Sequence, residues 1–261
     1  MKGLLAGVLL CLPTAALAGA WTQDEGKWQV IAGLVLSAAD HSFGSTGPVQ
    51  FRRALATTYS EYGVLPEVTL FAATETAYVE VQQGTAAPFH DIDNAVEGGA
   101  RLRFGQWLGL DGLGVFSAEA SLRTAGAFNF AVSANRSTGG DGGQFRLLYG
   151  RGFTFWKREA FIDVELGRRF LTGPRPDETP LDLTAGLWLN RNNMVMAQSF
   201  HLFAAAGPIA AYPAFQSHKL QLSWVRRLSN RFLLQSGAFF SPAGHNALVE
   251  QGLCVSLWSR F

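Results

Sequence analysis

Apolar and polar residues alternate along most of this chain with a period of two, the spacing of a strand whose two faces meet different surroundings. Trp28, Val30, Ala32, Leu34 and Leu36 form one apolar row. Val96, Gly98, Ala100, Leu102 and Phe104 form another, with Glu97, Arg101 and Arg103 between them. Phe116, Ala118, Ala120 and Leu122 alternate with Ser117, Glu119, Ser121 and Arg123. Ala160, Ile162, Val164 and Leu166 alternate with Phe161, Asp163 and Glu165, and Leu181, Leu183, Ala185, Leu187 and Leu189 with Asp182, Thr184 and Gly186. A last row, Val249, Gln251, Leu253, Val255, Leu257, Ser259 and Phe261, closes the chain. The pattern predicts twelve strands, over 27–38, 51–62, 67–80, 94–105, 113–124, 144–155, 158–170, 181–190, 194–204, 215–227, 231–241 and 248–261.

One greasy face and one polar face per strand fits a soluble sandwich with a dry core. It equally fits a membrane barrel with lipid outside and a polar lumen within. The breakers favour the barrel. Connections after even-numbered strands are short, whereas most of the others are long and rich in Gly, Pro, Ser and Asp. Short turns at one end and long loops at the other are the asymmetry of a transmembrane barrel. Pro48, Pro66, Pro88, Pro174, Pro176, Pro180, Pro208, Pro213 and Pro242 all fall in predicted connections, as expected of a residue that cannot donate to a sheet ladder. The one long loop without proline carries Ser137-Thr138-Gly139-Gly140-Asp141-Gly142-Gly143. No stretch approaches the ~20 apolar residues of a membrane-spanning helix. The fold class expected is therefore all-β: an antiparallel up-and-down transmembrane barrel of about twelve strands.

The N-terminus supplies the compartment. Lys2, an apolar stretch over 4–12 and the small-x-small site Ala16-Leu17-Ala18 read as a cleaved signal peptide. Residues 1–18 are then the leader and 19–261 the barrel, with the outer membrane as destination. Composition agrees: the 261 residues are 48% hydrophobic, 12% aromatic and only 16% charged. Lys plus Arg number 21 against 20 Asp plus Glu, so there is no basic excess for nucleic acid. Cys11 leaves with the leader and Cys254 stands alone, which excludes an internal disulfide and a cysteine-based zinc site.

The candidate chemistry lies on the polar faces. Glu97, Arg101, Arg103, Glu119, Arg123, Asp163, Glu165, Lys219 and Glu250 are the candidate lumen residues. They are expected to point inward, because an Arg or Lys at the lipid midplane costs about 2–4 kcal/mol. There they either line a pathway or pair across a filled interior. Among the aromatics, Trp107, Trp156, Phe153, Phe155, Phe232, Trp258 and Phe261 fall near short turns, and Tyr59, Tyr62, Tyr78, Phe170 and Phe200 near other strand ends. All are expected in interfacial girdles. No cofactor or metal is expected: Asp40-His41 and His90-Asp91-Ile92-Asp93 match no ion-binding spacing, and Gly139 to Gly143 lacks the Lys-Ser or Lys-Thr of a phosphate loop. Ser199 lies near His201, but no motif resembles the outer-membrane phospholipase or the lipid A deacylases. The chain is read as a non-enzyme.

Two resemblances sharpen the expectation. A terminal Phe261 on an amphipathic strand, backed by Leu257, Val255 and Leu253, resembles the recognition signal of Gram-negative outer-membrane barrels. The segment Gly19-Ala20-Trp21-Thr22-Gln23-Asp24-Glu25-Gly26-Lys27-Trp28-Gln29-Val30-Ile31, with Tyr62-Gly63-Val64-Leu65-Pro66-Glu67 as a first periplasmic turn, is similar to a transporter-like family linked to the meta-cleavage pathway of phenol degradation. That resemblance implies passage of small, often apolar, solutes and carries no catalytic residues. The expected function is a channel or transporter-like barrel. The alternatives are a structural or surface-interaction barrel with a closed lumen and, third, a lipid-modifying enzyme. Expected partners are outer-membrane lipid, the barrel assembly machinery and small solutes. Phe261→Ser should lower the folded, heat-modifiable protein recovered in outer membranes; unchanged recovery would remove Phe261 as an assembly signal.

Overall fold

The structure, a computed structural model, describes residues 19–44, 49–84, 87–125, 141–173, 175–208 and 212–261. The expected leader 1–18, Pro48, Pro174 and residues 137–140 of the glycine-rich loop lie outside the described residues. Twelve strands follow one another: β1 Trp28–Ala39, β2 Val49–Leu65, β3 Val68–Gln83, β4 Phe89–Arg103, β5 Val115–Ala125, β6 Gly142–Phe155, β7 Arg158–Leu171, β8 Glu178–Asn190, β9 Asn193–Ala204, β10 Phe215–Arg227, β11 Phe232–His245 and β12 Gln251–Arg260. Each pairs with its chain neighbours, and β1 pairs antiparallel with β12 from Gln29↔Arg260 to Ala38↔Gln251. Reciprocal backbone hydrogen bonds between Trp28 and Phe261, at 3.0 and 3.1 Å, finish the seam. The sheet is thus a closed antiparallel barrel.

The outer wall settles what surrounds it. Leu34, Leu36, Leu70, Leu122, Leu147, Leu166, Leu222 and Leu253 are 48–74% exposed. A continuous apolar belt of this kind belongs in lipid, and closure leaves no unpaired strand edge there. Among the described residues no helix is long and apolar enough to cross a membrane; the strands do the crossing. The short connections gather at the end where β1 starts and β12 finishes, here called the turn end, and the long ones at the opposite loop end.

Several expectations need correction. Strands reach further into the loop end than the alternation indicated: β4 begins at Phe89 and β11 continues to His245. His90-Asp91-Ile92-Asp93 is consequently strand, not loop. Pro180 and Pro242 also lie within strands. Both sit at irregularities: the β7–β8 ladder lapses between Leu166↔Leu181 and Arg169↔Glu178, and the β10–β11 register shifts between His218 and Leu220. Those are the places in a sheet that tolerate a missing N–H. The turn after β4 holds a short 3-10 helix, Gly105–Leu108. Trp107, Trp156, Phe153, Phe155, Phe232 and Phe261 are exposed near the turn end, and Tyr78 and Phe170 near the loop end. Trp258, Tyr59 and Phe200 instead point into the barrel, with Trp258 wholly buried. Their parity within the strand, not their distance from a turn, decides this.

The β6–β7 hairpin turns on Trp156 and Lys157, whose φ values are 48° and 61°. A two-residue turn of this form wants Asn-Gly, because φ > 0 is unfavourable for side chains with a Cβ. Lys157→Gly should therefore raise stability by about 1 kcal/mol, read as a higher urea midpoint for the refolded barrel. A lower midpoint would mean that the lysine side chain itself holds the turn.

Candidate functional site

The site is the lumen, and its centre is Arg101. β4 and β5 are in register with Arg101 opposite Glu119 and Glu97 opposite Arg123, so alternation turns all four inward. Arg101 is 2% exposed. Its guanidinium donates to Glu119 at 2.9 and 3.2 Å, to Glu61 on β2 at 2.8 Å and to the Tyr59 hydroxyl at 3.0 Å. Tyr59 in turn donates to Glu61 at 2.8 Å. A buried guanidinium between two carboxylates satisfies the rule that buried charge be paired and hydrogen-bonded.

Further pairs run from this hub toward the loop end. Arg146 bridges Glu165 at 2.7 Å and Asp182 at 3.2 Å. Arg123 makes a two-pronged contact with Glu75 at 2.6 and 2.9 Å and reaches Glu97 at 3.5 Å, while Ser121 donates to Glu97. Arg169 meets Glu178 at 2.9 Å. On the far side Glu250 accepts from Arg53 at 2.7 Å and Lys219 at 2.5 Å, tying β2 to β10. Arg103 also faces inward, beside Ser117, and its Nε has no hydrogen-bond partner among the described residues. Charge thus fills the wall of β4–β8. The wall of β9–β12 and β1 carries few charges and is mixed: Met194, Met196, Val225, Leu233, Trp258 and Ile31 pack with Tyr59, Phe71 and Ala73 in one buried cluster, and Gln198, Gln221, Ser223 and Gln235 form a neutral hydrogen-bonded chain beside it.

The turn end is filled by something that alternation does not report. Residues 19–24 do not extend the sheet; they fold back into the lumen as a strap. The Ala20 N–H donates to Asp163 at 2.8 Å, and Ser117 donates to the Ala20 carbonyl at 2.5 Å. Arg101 donates to the Trp21 carbonyl at 3.1 Å. The Gln23 N–H donates to Thr69 at 2.8 Å and its side-chain amide to Glu61 at 2.6 Å. Trp21 packs edge-on to Phe161, centroids 6.0 Å apart, and lies over Gly150, where any Cβ would run into the indole. The strap then leaves along the first turn: Thr22 donates to the Pro66 carbonyl, and Glu25 bridges Gly63. A Cβ at Gly63 would collide with the Asp24 backbone.

Of the candidate residues, Arg101 and Glu119 form one pair, Arg123 and Glu97 another, and Lys219 and Glu250 a third. Asp163 and Glu165 follow one another on the inner face of β7; Asp163 holds the strap and Glu165 holds Arg146. Sequence reasoning missed Glu61, Tyr59 and Arg53, because β2 inverts the usual contrast. Its inner row contains Phe51, Leu55 and Tyr59, whereas its outer row contains Arg52, Thr58 and Ser60. Among the described residues no three His, Cys, Asp or Glu side chains converge on a metal position.

By sequence, no family model and no curated protein matches the chain. Solved structures match it by shape. An outer membrane channel from Pseudomonas putida F1 superposes with a TM-score of 0.63 at 10% identity, over 93% of this chain and 98% of that one. The translocator domain of the autotransporter NalP from Neisseria meningitidis gives 0.52 at 9% identity, over 94% and 91%. The NanC porin gives 0.52 at 7% identity, over 87% and 98%. The likeness is one of fold. Together with the apolar belt it identifies an outer-membrane β-barrel.

Arg101→Ala strands Glu61 and Glu119 in the lumen and should cost about 3–5 kcal/mol. Leu102→Ala, on the lipid face of the same strand, should cost much less. Urea unfolding of the two refolded variants makes the comparison, and equal losses would place the stabilising contacts outside the lumen.

Proposed function

We propose that this barrel is a channel for small solutes, closed in the conformation described by its own strap. One observation carries the reading: residues 20–23 occupy the turn end of the lumen through hydrogen bonds to side chains on five strands and take no part in the sheet ladder around them. A segment held in this way can leave without breaking a strand pairing. Its departure would join the space it fills to the polar wall of β4–β8. The two-sided lumen, charged on one wall and a mix of apolar and neutral polar residues on the other, suits a small solute with both apolar and polar parts. This agrees with the transporter-like family that the N-terminal segment and first turn resemble. Carboxylates outnumber guanidiniums along the inner faces of β2–β8, with Glu61, Glu75, Asp93, Glu97, Glu119, Asp163, Glu165, Glu178 and Asp182 against Arg53, Arg101, Arg103, Arg123, Arg146 and Arg169. That favours cations over anions.

Leader removal has a role in this reading. Gly19 is buried against Asp163, and a side chain there would collide with the carboxylate. Among the described residues no lysine or arginine forms an ion pair with Asp163. Cleavage after Ala18 would put the new α-ammonium group beside it, anchoring the strap only in the mature chain. The turn end would face the periplasm and the loop end the exterior.

The second reading, a closed structural barrel, draws on the same packing: Glu61, Trp258, Met194 and Met196 are wholly buried. Planar-bilayer recording separates the two. Deletion of residues 19–25 and Asp163→Asn should each raise single-channel conductance over the mature chain, with cation preference in both. Conductance that stays at baseline in the deletion would establish the closed barrel.

A further inference from the structure

The outer wall of the barrel carries a hydrogen-bonded chain that the channel reading does not use. Ser199 and His201 are two residues apart on β9, and Phe200 and Leu202, on either side of His201, point into the lumen at 3% and 1% exposure. Ser199 and His201 therefore share the lipid-facing side. His218 lies directly opposite His201 on β10. The Ser199 Oγ is 2.6 Å from His201 Nε2, and His201 Nδ1 is 2.7 Å from His218 Nδ1. The two imidazoles meet edge to face at 4.9 Å, and Phe203 packs against the His218 ring at 5.5 Å.

A hydroxyl within hydrogen-bond reach of an imidazole, itself oriented by a third group, is the arrangement of an activated nucleophile. The surroundings say what it would attack. Ser199 has Leu220 on one side and Leu183 on the other in register, and both are exposed in the lipid belt. β9 ends at Ala204, three residues beyond His201, so the group lies where the belt gives way to the loop end. Bilayer lipids carry their acyl esters at this boundary between hydrocarbon and headgroup. Arg168 stands on the same outer face, bonded to Thr179 at 3.0 Å and Asp177 at 3.3 Å, and Thr179 is the register partner of Phe203. It offers a contact for an anionic headgroup.

We infer that Ser199, His201 and His218 form a serine hydrolase site for fatty-acyl esters of membrane lipids, on the outside of the barrel. Ser199 Oγ attacks the ester carbonyl carbon and passes its proton to His201 Nε2, while His201 Nδ1–H donates to His218. The ester C–O bond breaks, and the leaving alcohol takes the proton from Nε2. Water then attacks the acyl-serine, giving a proton to His201 that returns to Ser199 as the fatty acid departs. Ser199 is the catalytic nucleophile and His201 the general base; His218 is a positioning residue. The assignment uses no lumen residue, so it stands or falls separately from the channel.

The test uses the refolded mature chain in two kinds of vesicle, one of phospholipid alone and one containing lipopolysaccharide, with released fatty acid as the readout. Release from the first identifies a glycerophospholipid ester as substrate, and release only from the second identifies an acyl ester of lipid A. In either case Ser199→Ala and His201→Ala should lower the rate about 100-fold or more, the ordinary contribution of a general base. His218→Ala should lower it less, and His218→Asn, which keeps an acceptor, should restore part of the loss. A fluorophosphonate probe followed by peptide mapping should label Ser199 in the parent chain and not in His201→Ala. Heat-modifiable mobility confirms that each variant is folded. Release from folded Ser199→Ala equal to the parent, or a parent chain that neither releases fatty acid nor takes the probe, overturns the assignment.

Discussion

Hydrocarbon cannot hydrogen-bond a peptide group, and almost everything else in this molecule follows from that constraint. It requires the sheet to close, β1 against β12, with the last link made by Trp28 and Phe261. Closure at twelve strands gives an interior that side chains can span. Arg53 and Lys219, four strands apart around the wall, accordingly meet on the same Glu250 carboxylate. Once the interior is that narrow, most inward charges find an opposite charge within a few ångströms. Arg101, Arg123, Arg146 and Arg169 each have one or two carboxylates. The polar face of an amphipathic strand in this barrel is therefore a paired lattice, in contrast to the hydrated lining of a wider barrel.

The strap gives physical meaning to the two stretches of sequence that set this chain apart. The segment from Gly19 to Ile31 and the first turn are separated by some forty residues, yet they touch: Glu25 bridges Gly63, Thr22 bonds to Pro66, and Gly26 donates to the Gly63 carbonyl at 2.8 Å. Gly63 is small because the Asp24 backbone passes over it, and Gly150 is small because Trp21 lies there. These glycines mark close approaches and not turns, since neither has a positive φ.

The closed antiparallel barrel was legible because a period of two survives even where individual residues mislead. β10 runs over the same residues as the alternation predicts, and the inward phase of β4, β5 and β7 follows directly from Glu97, Glu119 and Asp163. What was not legible is non-local. On β2 and β9 the inner face is the greasier one, with Phe51, Leu55, Met194, Met196 and Leu202 turned inward against a packed interior instead of water. Trp258 belongs to that interior for the same reason. The strap has no periodicity at all. Ser199 and His201 were visible as neighbours, but the partner that gives them significance, His218, reaches them through a strand pairing that only register fixes.

The strap also bears on the order in which the molecule is made. Its anchors, Glu61, Thr69, Arg101, Ser117 and Asp163, are drawn from β2, β3, β4, β5 and β7. No single hairpin presents them in the right places, because they converge only when β2 to β7, about half the wall, have paired and curled together. The strap thus seats after β2 to β7 have paired, and a chain that mispairs those hairpins has nowhere to put it. A barrel with those strands mispaired would leave Trp21 without its seat against Phe161 and Gly150. Burial of that one indole is then a local marker that β2 to β7 have come together in register.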